Sequence, residues 1–209
     1  MATTTQFRQA VSKVWNKEID YNSDTIYAAL MGVGYTPNLD THAYWSDVVA
    51  SEIANGGGYT TNGVLLTGCT ITYTAANSWA TVWTLSTVYA KDFVVRPTVG
   101  NGFLYRARVA GTASATQPTW PTTPGAEVVD GGVTWECVGA GVTVLTSVNP
   151  AWSGTITARY CVIYDRTPGT DATRPLIAVI DQGAAVTSTA GPFTVTVDAQ
   201  GLVMIFPYQ

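Results

Sequence analysis

The alternation of apolar and polar residues predicts a chain made mostly of short β-strands. The longest alternating stretch has five apolar residues on one face: Ile156, Ala158, Tyr160, Val162 and Tyr164. The other face carries Cys161 and Ile163, so both faces are apolar, which is typical of a strand covered on both sides. We therefore predict that this stretch is the central strand of its domain.

Shorter runs with the same period, or with continuous apolar character, predict the remaining strands. They cover residues 24–31, 63–66, 68–73, 142–145, 176–180, 193–198 and 202–206. In the run 68–73, the alternation directs Cys69, Ile71 and Tyr73 inward. Seven or eight short strands at regular spacing, without long helices, predict a mainly β fold, specifically an antiparallel β-sandwich.

Two segments show helical spacing instead. The first has apolar residues at i, i+4, i+7 and i+8: Phe7, Val11, Val14 and Trp15. It predicts a short N-terminal helix. The spacing between residues 45 and 53 allows a second short helix. Glycines 56–58 predict a loop and residues 150–154 a turn.

The stretch 83–138 reads as a small β module inserted into a different β-domain. Its Gly100-Asn101-Gly102 sequence predicts a type I′ hairpin joining strands at 93–97 and 103–109, because both central residues of that turn need positive φ. A Pro-rich segment follows, then an Asp130-Gly131-Gly132 turn and a strand at 133–138. We predict a discontinuous host domain, residues 1–82 and 139–209, with the module between.

The composition favours assembly over a free enzyme. Only 24 of the 209 residues are Asp, Glu, Lys or Arg, about half the share of an average soluble protein. Neutral strands rich in Thr, Val and Tyr suit faces that neighbouring subunits cover. A net charge of −4 without a Lys/Arg cluster argues against nucleic acid as a direct partner.

The cysteines and the N-terminus indicate an ordinary cytoplasmic chain. Cys69, Cys137 and Cys161 are odd in number and lack C-x-x-C spacing, so we predict buried hydrophobes rather than disulfides or a zinc site. The first residues resemble no signal peptide, and no stretch approaches 18 consecutive apolar residues. We expect synthesis and folding in a bacterial host cytoplasm and no membrane partner.

Catalytic patterns are weak in this sequence. His42 is the only histidine, and its polar surroundings favour a structural role over a catalytic one. Glu52, Glu127 and Glu136 are available for a glycosidase pair, but no pattern fixes their separation. There is no phosphate loop and no cluster of metal ligands. We predict no enzyme, no catalytic or metal site and no cofactor.

Two resemblances suggest where such a chain belongs. Within the module, the residues Trp83, Tyr89, Asp92, Val94 and Tyr105 resemble small chitin- and cellulose-binding modules of bacterial chitinases. The run from Gly102-Phe103-Leu104-Tyr105-Arg106 through Gln117-Pro118-Thr119-Trp120-Pro121 to 130–137 is similar to inserts in many tailed-phage structural proteins. The resemblance implies a binding-module signature, without specifying a ligand.

The host domain has a resemblance of its own. It rests on five groups of residues: Tyr21 with Asp24-Thr25-Ile26, Thr41-His42 with Trp45-Ser46-Asp47, Glu52 before Gly58-Tyr59, Gly63-Val64-Leu65-Leu66, and Trp152 with 158–165. These are similar to small virion proteins of tailed phages, of the auxiliary head or decoration type. The resemblance implies a virion component.

The module aromatics are the candidate glycan contacts. Sugar rings stack on exposed Trp or Tyr rings, so two or three exposed rings suffice for binding. The candidates are Trp120, Trp83, Tyr89, Tyr105 and Trp135. A module of this size needs at least three of the five for its core. Trp120 is the best candidate, because Pro118 and Pro121 hold it on a stiff loop.

Two functions therefore remain open from the sequence. The first is a capsid decoration or cement protein whose host domain binds the major capsid protein, as a homo-oligomer and specifically a homotrimer, while the module projects outward. The second is a tail-associated protein that binds host-surface glycans through the module. The poorly charged larger domain favours the first.

Overall fold

The computed structural model describes residues 2–206 and has a mainly β architecture. Strands hold 42% of the residues and helical segments 9%, which confirms the predicted class and the single short N-terminal helix. Their ladders are antiparallel. The sandwich arrangement stays a prediction.

The chain forms two compact units. The first comprises the described residues up to Ile71 together with Leu145–Val203, and the second comprises Thr72–Val144 with the described residues from Met204 onward. The predicted module, residues 83–138, falls within the second unit.

The first unit contains a five-stranded sheet, a two-stranded sheet and the helix. Their bounds are β1 (Thr3–Gln6), α1 (Ala10–Trp15), β2 (Ile26–Met31), β3 (Val64–Leu65), β12 (Ala151–Gly154), β13 (Thr157–Asp165), β14 (Leu176–Thr187) and β15 (Gly191–Thr194). Short 3₁₀ turns lie at Trp45–Asp47, Val49–Ser51 and Asp171–Thr173. The sheet orders are β1-β14-β13-β2-β3 and β12-β15.

The second unit contains a four-stranded and a two-stranded sheet. Its strands are β5 (Val88–Tyr89), β6 (Val94–Val95), β7 (Leu104–Val109), β8 (Gly111–Thr112), β9 (Glu127–Asp130) and β10 (Val133–Gly139). The sheet orders are β6-β7-β10-β9 and β5-β8. A further sheet, β16-β11-β4, contains β4 (Thr70–Ala75), β11 (Gly141–Thr146) and β16 (Val203–Ile205), and the chain passes between the units within these strands. A 3₁₀ turn lies at Ala76–Ser78.

Strand β13 is the central strand of the five-stranded sheet, as its two apolar faces predicted. It pairs with β2 on one side and β14 on the other. Tyr160, Val162 and Tyr164 join one buried cluster, while Cys161 and Ile163 on the opposite face are fully buried. The ring of Trp45 stacks on Tyr164 with centroids 4.2 Å apart.

The N-terminal helix is present, but the apolar residues whose spacing predicted it do not form its buried face. The helix begins only at Ala10, while Phe7 continues the strand and donates its backbone N–H to the Ile177 carbonyl at 3.1 Å. Phe7 lies outside the helix and therefore does not lie on the same helical face as Val11, Val14 and Trp15. Val14 and Trp15 are exposed, and the helix buries Ala10 and Lys13 instead.

Three other local predictions are wrong. The inward face assigned to Cys69, Ile71 and Tyr73 is open: Ile71 and Tyr73 are exposed and Cys69 is half-buried. The second short helix is replaced by two 3₁₀ turns. Residues 150–154 form strand β12 rather than a turn, because this segment pairs with β15. Gly58 lies so close to β12 that a Cβ there would collide with the Ser153 carbonyl.

The hairpin predicted around Asn101 has the right strands and the wrong turn. Strands β6 and β7 pair antiparallel, with Val95 opposite Tyr105. Of the three turn residues only Gly102 has positive φ, so the connection is not type I′. Asn101 acts through its side chain instead, accepting a hydrogen bond from the Phe103 N–H at 3.1 Å and donating one to the Tyr105 hydroxyl at 2.7 Å.

Among the described residues, the second unit has an aromatic and an aliphatic buried cluster. The first, the aromatic cluster, consists of Trp83, Tyr89, Val95, Tyr105, Ala107, Ala113, Val133, Trp135 and Cys137. The second, the aliphatic cluster, consists of Ala76, Trp79, Val94, Leu104, Val138, Val142 and Val144, with Met204 and Phe206 packed against it. It draws on residues both inside and outside the range 83–138.

Removing the Tyr160 ring should strongly destabilise the first unit. Tyr160 is only 8% exposed, and its ring meets Tyr35 edge-on with centroids 5.5 Å apart. We expect Tyr160→Ala to lower the free energy of unfolding by about 3–5 kcal/mol, because the strand cannot close the cavity. Tyr160→Phe keeps the ring and should cost far less. A loss below about 1 kcal/mol for Tyr160→Ala, measured by denaturant unfolding, would contradict the central position of β13.

Candidate functional site

The aromatic cluster of the second unit is built around the carboxylate of Asp130. Asp130 ends strand β9, and a Gly131-Gly132 turn leads directly into β10. Its Oδ2 accepts hydrogen bonds from the indole N–H groups of Trp83, at 2.8 Å, and Trp135, at 2.9 Å. Its Oδ1 accepts the backbone N–H of Ser114 at 2.9 Å and the Ser114 hydroxyl. Four donors therefore surround one buried carboxylate.

These donors decide the charge state of Asp130. Burial on its own raises the pKa of a carboxyl group, because it penalises the charged form. Hydrogen bonds from Ser114, Trp135 and Trp83 outweigh burial and hold the pKa of Asp130 below its ordinary value. Asp130 is thus an ionised carboxylate that fixes two tryptophan rings.

Four of the five candidate glycan contacts lie in the core rather than on the surface. The aromatic cluster buries Trp83, Tyr89, Tyr105 and Trp135, with Trp135 and Tyr105 fully enclosed. Tyr105 donates its hydroxyl to the Pro121 carbonyl at 2.8 Å, and burial raises its pKa to about 12. These four rings offer no open face for a sugar, because the same faces pack the module.

Trp120 is the one candidate in the group that is partly exposed. Its ring packs on Tyr105 with centroids 4.2 Å apart and meets Trp135 at 5.8 Å. Its indole N–H is enclosed and has no acceptor among the described residues. Trp120 therefore stays a prediction as a glycan contact, but as a single ring at the edge of a packed cluster.

The first unit holds a cleft that the sequence did not indicate. Its volume is about 440 Å³, and it is lined by Lys17, Glu18, Asp24, Tyr44, Asp165, Thr167, Pro168 and Thr173. Asp165 lies at the end of β13 and is fully buried. Its Oδ1 accepts the Thr167 N–H at 2.7 Å, while its Oδ2 has no donor among the described residues.

Two carboxylates face each other in this cleft. Burial, together with the neighbouring carboxylate of Asp24, raises the pKa of Asp165 to about 6, although Thr167 donates to it. Asp24 and Asp165 are 141 positions apart, and their proximity depends on the antiparallel register of β2 and β13. Only the pairing of β2 with β13 brings these two residues together, and the sequence pattern did not predict that pairing.

The residues weighed for catalysis have structural contacts. His42 stacks on Tyr35, and its Nδ1 lies 3.2 Å from the Tyr35 hydroxyl. Glu52 accepts the Tyr59 hydroxyl at 2.6 Å. Glu127 lies opposite Glu136 in the β9–β10 register, and arginines 106 and 108 bridge to this pair. Across residues 2–206, no three His, Cys, Asp or Glu side chains form a metal-holding group.

Helix α1 carries an exposed apolar patch. We define the Trp15 patch as Val11, Val14 and Trp15, of which Trp15 is 82% exposed. Large apolar side chains grouped on one short helix, with no cover from the described residues of the unit, mark a surface suited to a protein partner.

Comparison with protein-family models, curated proteins and solved structures finds no match for the chain. Among the residues that the structure describes, no helix is long and apolar enough to cross a membrane.

Replacing Asp130 should loosen the aromatic cluster. Asp130→Asn keeps the shape but puts an amide N–H₂ where the carboxylate accepts hydrogen bonds, so buried donors lose their partner. We expect a loss of about 2–4 kcal/mol in the free energy of unfolding. The matched control is Glu127→Gln, an exposed carboxylate on the same hairpin, which should change stability by less than about 0.5 kcal/mol. Tryptophan fluorescence during denaturant unfolding measures the free energy of unfolding of both variants.

The pH dependence follows from the lowered pKa of Asp130. A carboxyl group whose pKa is lower in the folded state stabilises the fold above its ordinary pKa, and this contribution is lost as the pH falls through the folded value. The difference between the parent protein and Asp130→Asn should therefore be constant from pH 7 to about 5 and shrink below about pH 4. A difference that grows on acidification would contradict the assignment.

Proposed function

We propose that the chain is a structural component of a tailed-phage virion, a capsid decoration or cement protein whose first unit binds the major capsid protein. The observation that carries this proposal is the Trp15 patch, because a soluble enzyme has little reason to expose a tryptophan to 82%. The sequence resemblance to auxiliary head proteins supports the same class. The location is then the virion.

The energy available from the patch suits lattice binding. A tryptophan side chain has roughly 150–250 Å² of surface, so burying Trp15 at about 25 cal/mol per Å² contributes about 3–5 kcal/mol before association costs. Val11 and Val14 add apolar area beside it. One patch gives a weak contact, but copies linked in an oligomer bind a repeating lattice much more tightly.

The oligomer that we propose is a homotrimer at capsid symmetry axes. Closed symmetry is the usual solution when identical subunits cover one another, and the low charge of the chain imposes little repulsion on it. The net charge of −4 also disfavours a direct contact with packaged nucleic acid. A density map of the whole particle tests the location, and a single copy on the tail tube would overturn it.

Polar substitution of the patch should abolish particle binding while leaving the fold intact. We expect Val14→Ser with Trp15→Ser to unfold within about 2 °C of the parent, because neither side chain is buried. The double variant should fail to co-sediment with particles or capsids built from the major capsid protein of the same virus. Its matched control is Val99→Ser, an equally exposed apolar position in the second unit. Normal incorporation of the double variant would exclude the patch as the capsid contact.

The alternative is a tail-associated protein that binds host-surface glycans through the second unit. The observation in its favour is Trp120, the partly exposed ring between two prolines. This function predicts that the intact protein is retained on insoluble chitin or cellulose and that Trp120→Ala is not. The control is Trp15→Ala, which removes an exposed tryptophan elsewhere. Equal retention of both variants, or no retention of the parent, counts against glycan binding through Trp120.

A further inference from the structure

The pairing of two strands brings two distant aspartates together in the first unit. Asp165 is the last residue of β13 and lies opposite Ile26, the first residue of β2. Beyond this pair the Arg166 N–H donates to the Thr25 carbonyl at 2.9 Å, and the Thr25 N–H donates to the Thr167 hydroxyl at 2.8 Å. These bonds fix the backbone on both sides of the aspartates, so their carboxylates are held near each other by the sheet.

The Oδ2 atom of Asp165 has no hydrogen-bond donor among the described residues. Asp165 is 0% exposed, its Oδ1 is taken by the Thr167 N–H, and its Oδ2 has no donor within the described residues while lining the cleft. Asp24 lies within hydrogen-bonding range of it and accepts the Asp20 N–H at 2.5 Å. Two adjacent carboxylates repel, and a buried acceptor without a partner is costly. A proton shared by the two carboxylates, or a bound cation, would relieve this cost.

Three of the neighbouring cations have other partners. Lys13 forms an ion pair with Glu18 at 3.0 Å and contacts the Tyr44 hydroxyl. Arg174 forms an ion pair with Asp171 at 2.6 Å, and Arg166 lies over the Tyr27 ring. Lys17 also lines the cleft, and no ion pair within the described residues joins it to either aspartate.

We propose that Asp24 and Asp165 bind a divalent cation in this cleft, with calcium as the preferred ion. Carboxylate oxygens suit hard cations. Calcium tolerates irregular coordination by six to eight oxygens, whereas magnesium demands near-octahedral geometry. The cleft is open and large enough for water molecules to complete the coordination of calcium, and Thr167 and Thr173 are among the residues that line it.

The strength of the site follows from its ligands. Only two carboxylates contribute charge, so the dissociation constant should lie on the order of 10⁻⁴–10⁻³ M, as in weak extracellular calcium modules. Such a site is filled at millimolar calcium and empty at micromolar calcium. The bound ion would join the end of β13 to the segment before β2 and thereby stabilise the first unit.

Thermal unfolding of the chelator-stripped full chain tests the proposal. At pH 7.5 and constant ionic strength, 10 mM calcium chloride should raise the Tm by roughly 3–10 °C, and the same concentration of magnesium chloride should raise it less. Isothermal titration calorimetry should give about one calcium per chain. The variants Asp165→Asn and Asp24→Asn should each lose the calcium response.

The controls separate binding from damage to the fold. Asp165→Asn should fold at least as well as the parent without calcium, because its amide can donate to Asp24 and the repulsion is removed. Asp40→Asn removes an exposed carboxylate that pairs with Arg8 and should keep the full calcium response. The absence of a Tm shift and of heat with calcium in the parent would overturn the site. A calcium shift that persists in Asp165→Asn would likewise overturn it.

Discussion

The ionised carboxylate of Asp130 is the interaction on which the small second unit depends. A module with few residues has little apolar surface to bury, so its core has to be held by large rings in fixed orientations. Asp130 supplies that fixation, because it accepts the indole N–H groups of both Trp83 and Trp135. A buried tryptophan usually needs an acceptor for its N–H, and Asp130 provides one for both rings. The hairpin that carries Asp130 therefore organises the rings that surround it.

The two buried aspartates of the chain show opposite solutions to the same problem. Asp130 has four donors and a lowered pKa. Asp165 has an oxygen without a donor in the described part of the chain, a neighbouring carboxylate and a raised pKa. A satisfied buried charge stabilises its surroundings, whereas an unsatisfied one reduces stability unless a proton or a cation joins it. The first pattern is typical of a structural core. The second pattern is typical of a site that binds a proton or a cation from solution.

The sequence was most informative where alternation coincides with burial on both faces. The central position of β13, the short helix and the strands on either side of Asn101 could be predicted, because apolar period and turn residues agree there. The exposure of Ile71 and Tyr73 could not be predicted, because their strand has the alternating pattern of a half-buried strand although both side chains are exposed. The buried face of α1 could not be read from the apolar spacing, because Phe7 lies before the helix and bonds to Ile177. Strand β12 was missed because its partner lies about forty residues further along the chain. The Asp24–Asp165 pair depends on the same kind of long-range register, which a single sequence does not reveal.

The distribution of aromatic rings bears on the choice between the two functions. A glycan site needs ring faces that stay open, and the second unit uses Trp83, Tyr89, Tyr105 and Trp135 to fill its own core. The resemblance to chitin-binding modules is then accounted for by residues that any module of this size needs for packing, so it carries little information about ligands. Trp15 is the opposite case, because most of its side chain lies outside the packing of the first unit and is costly to leave in water. An apolar group that the fold does not use is better evidence of a partner than an aromatic group that it does use.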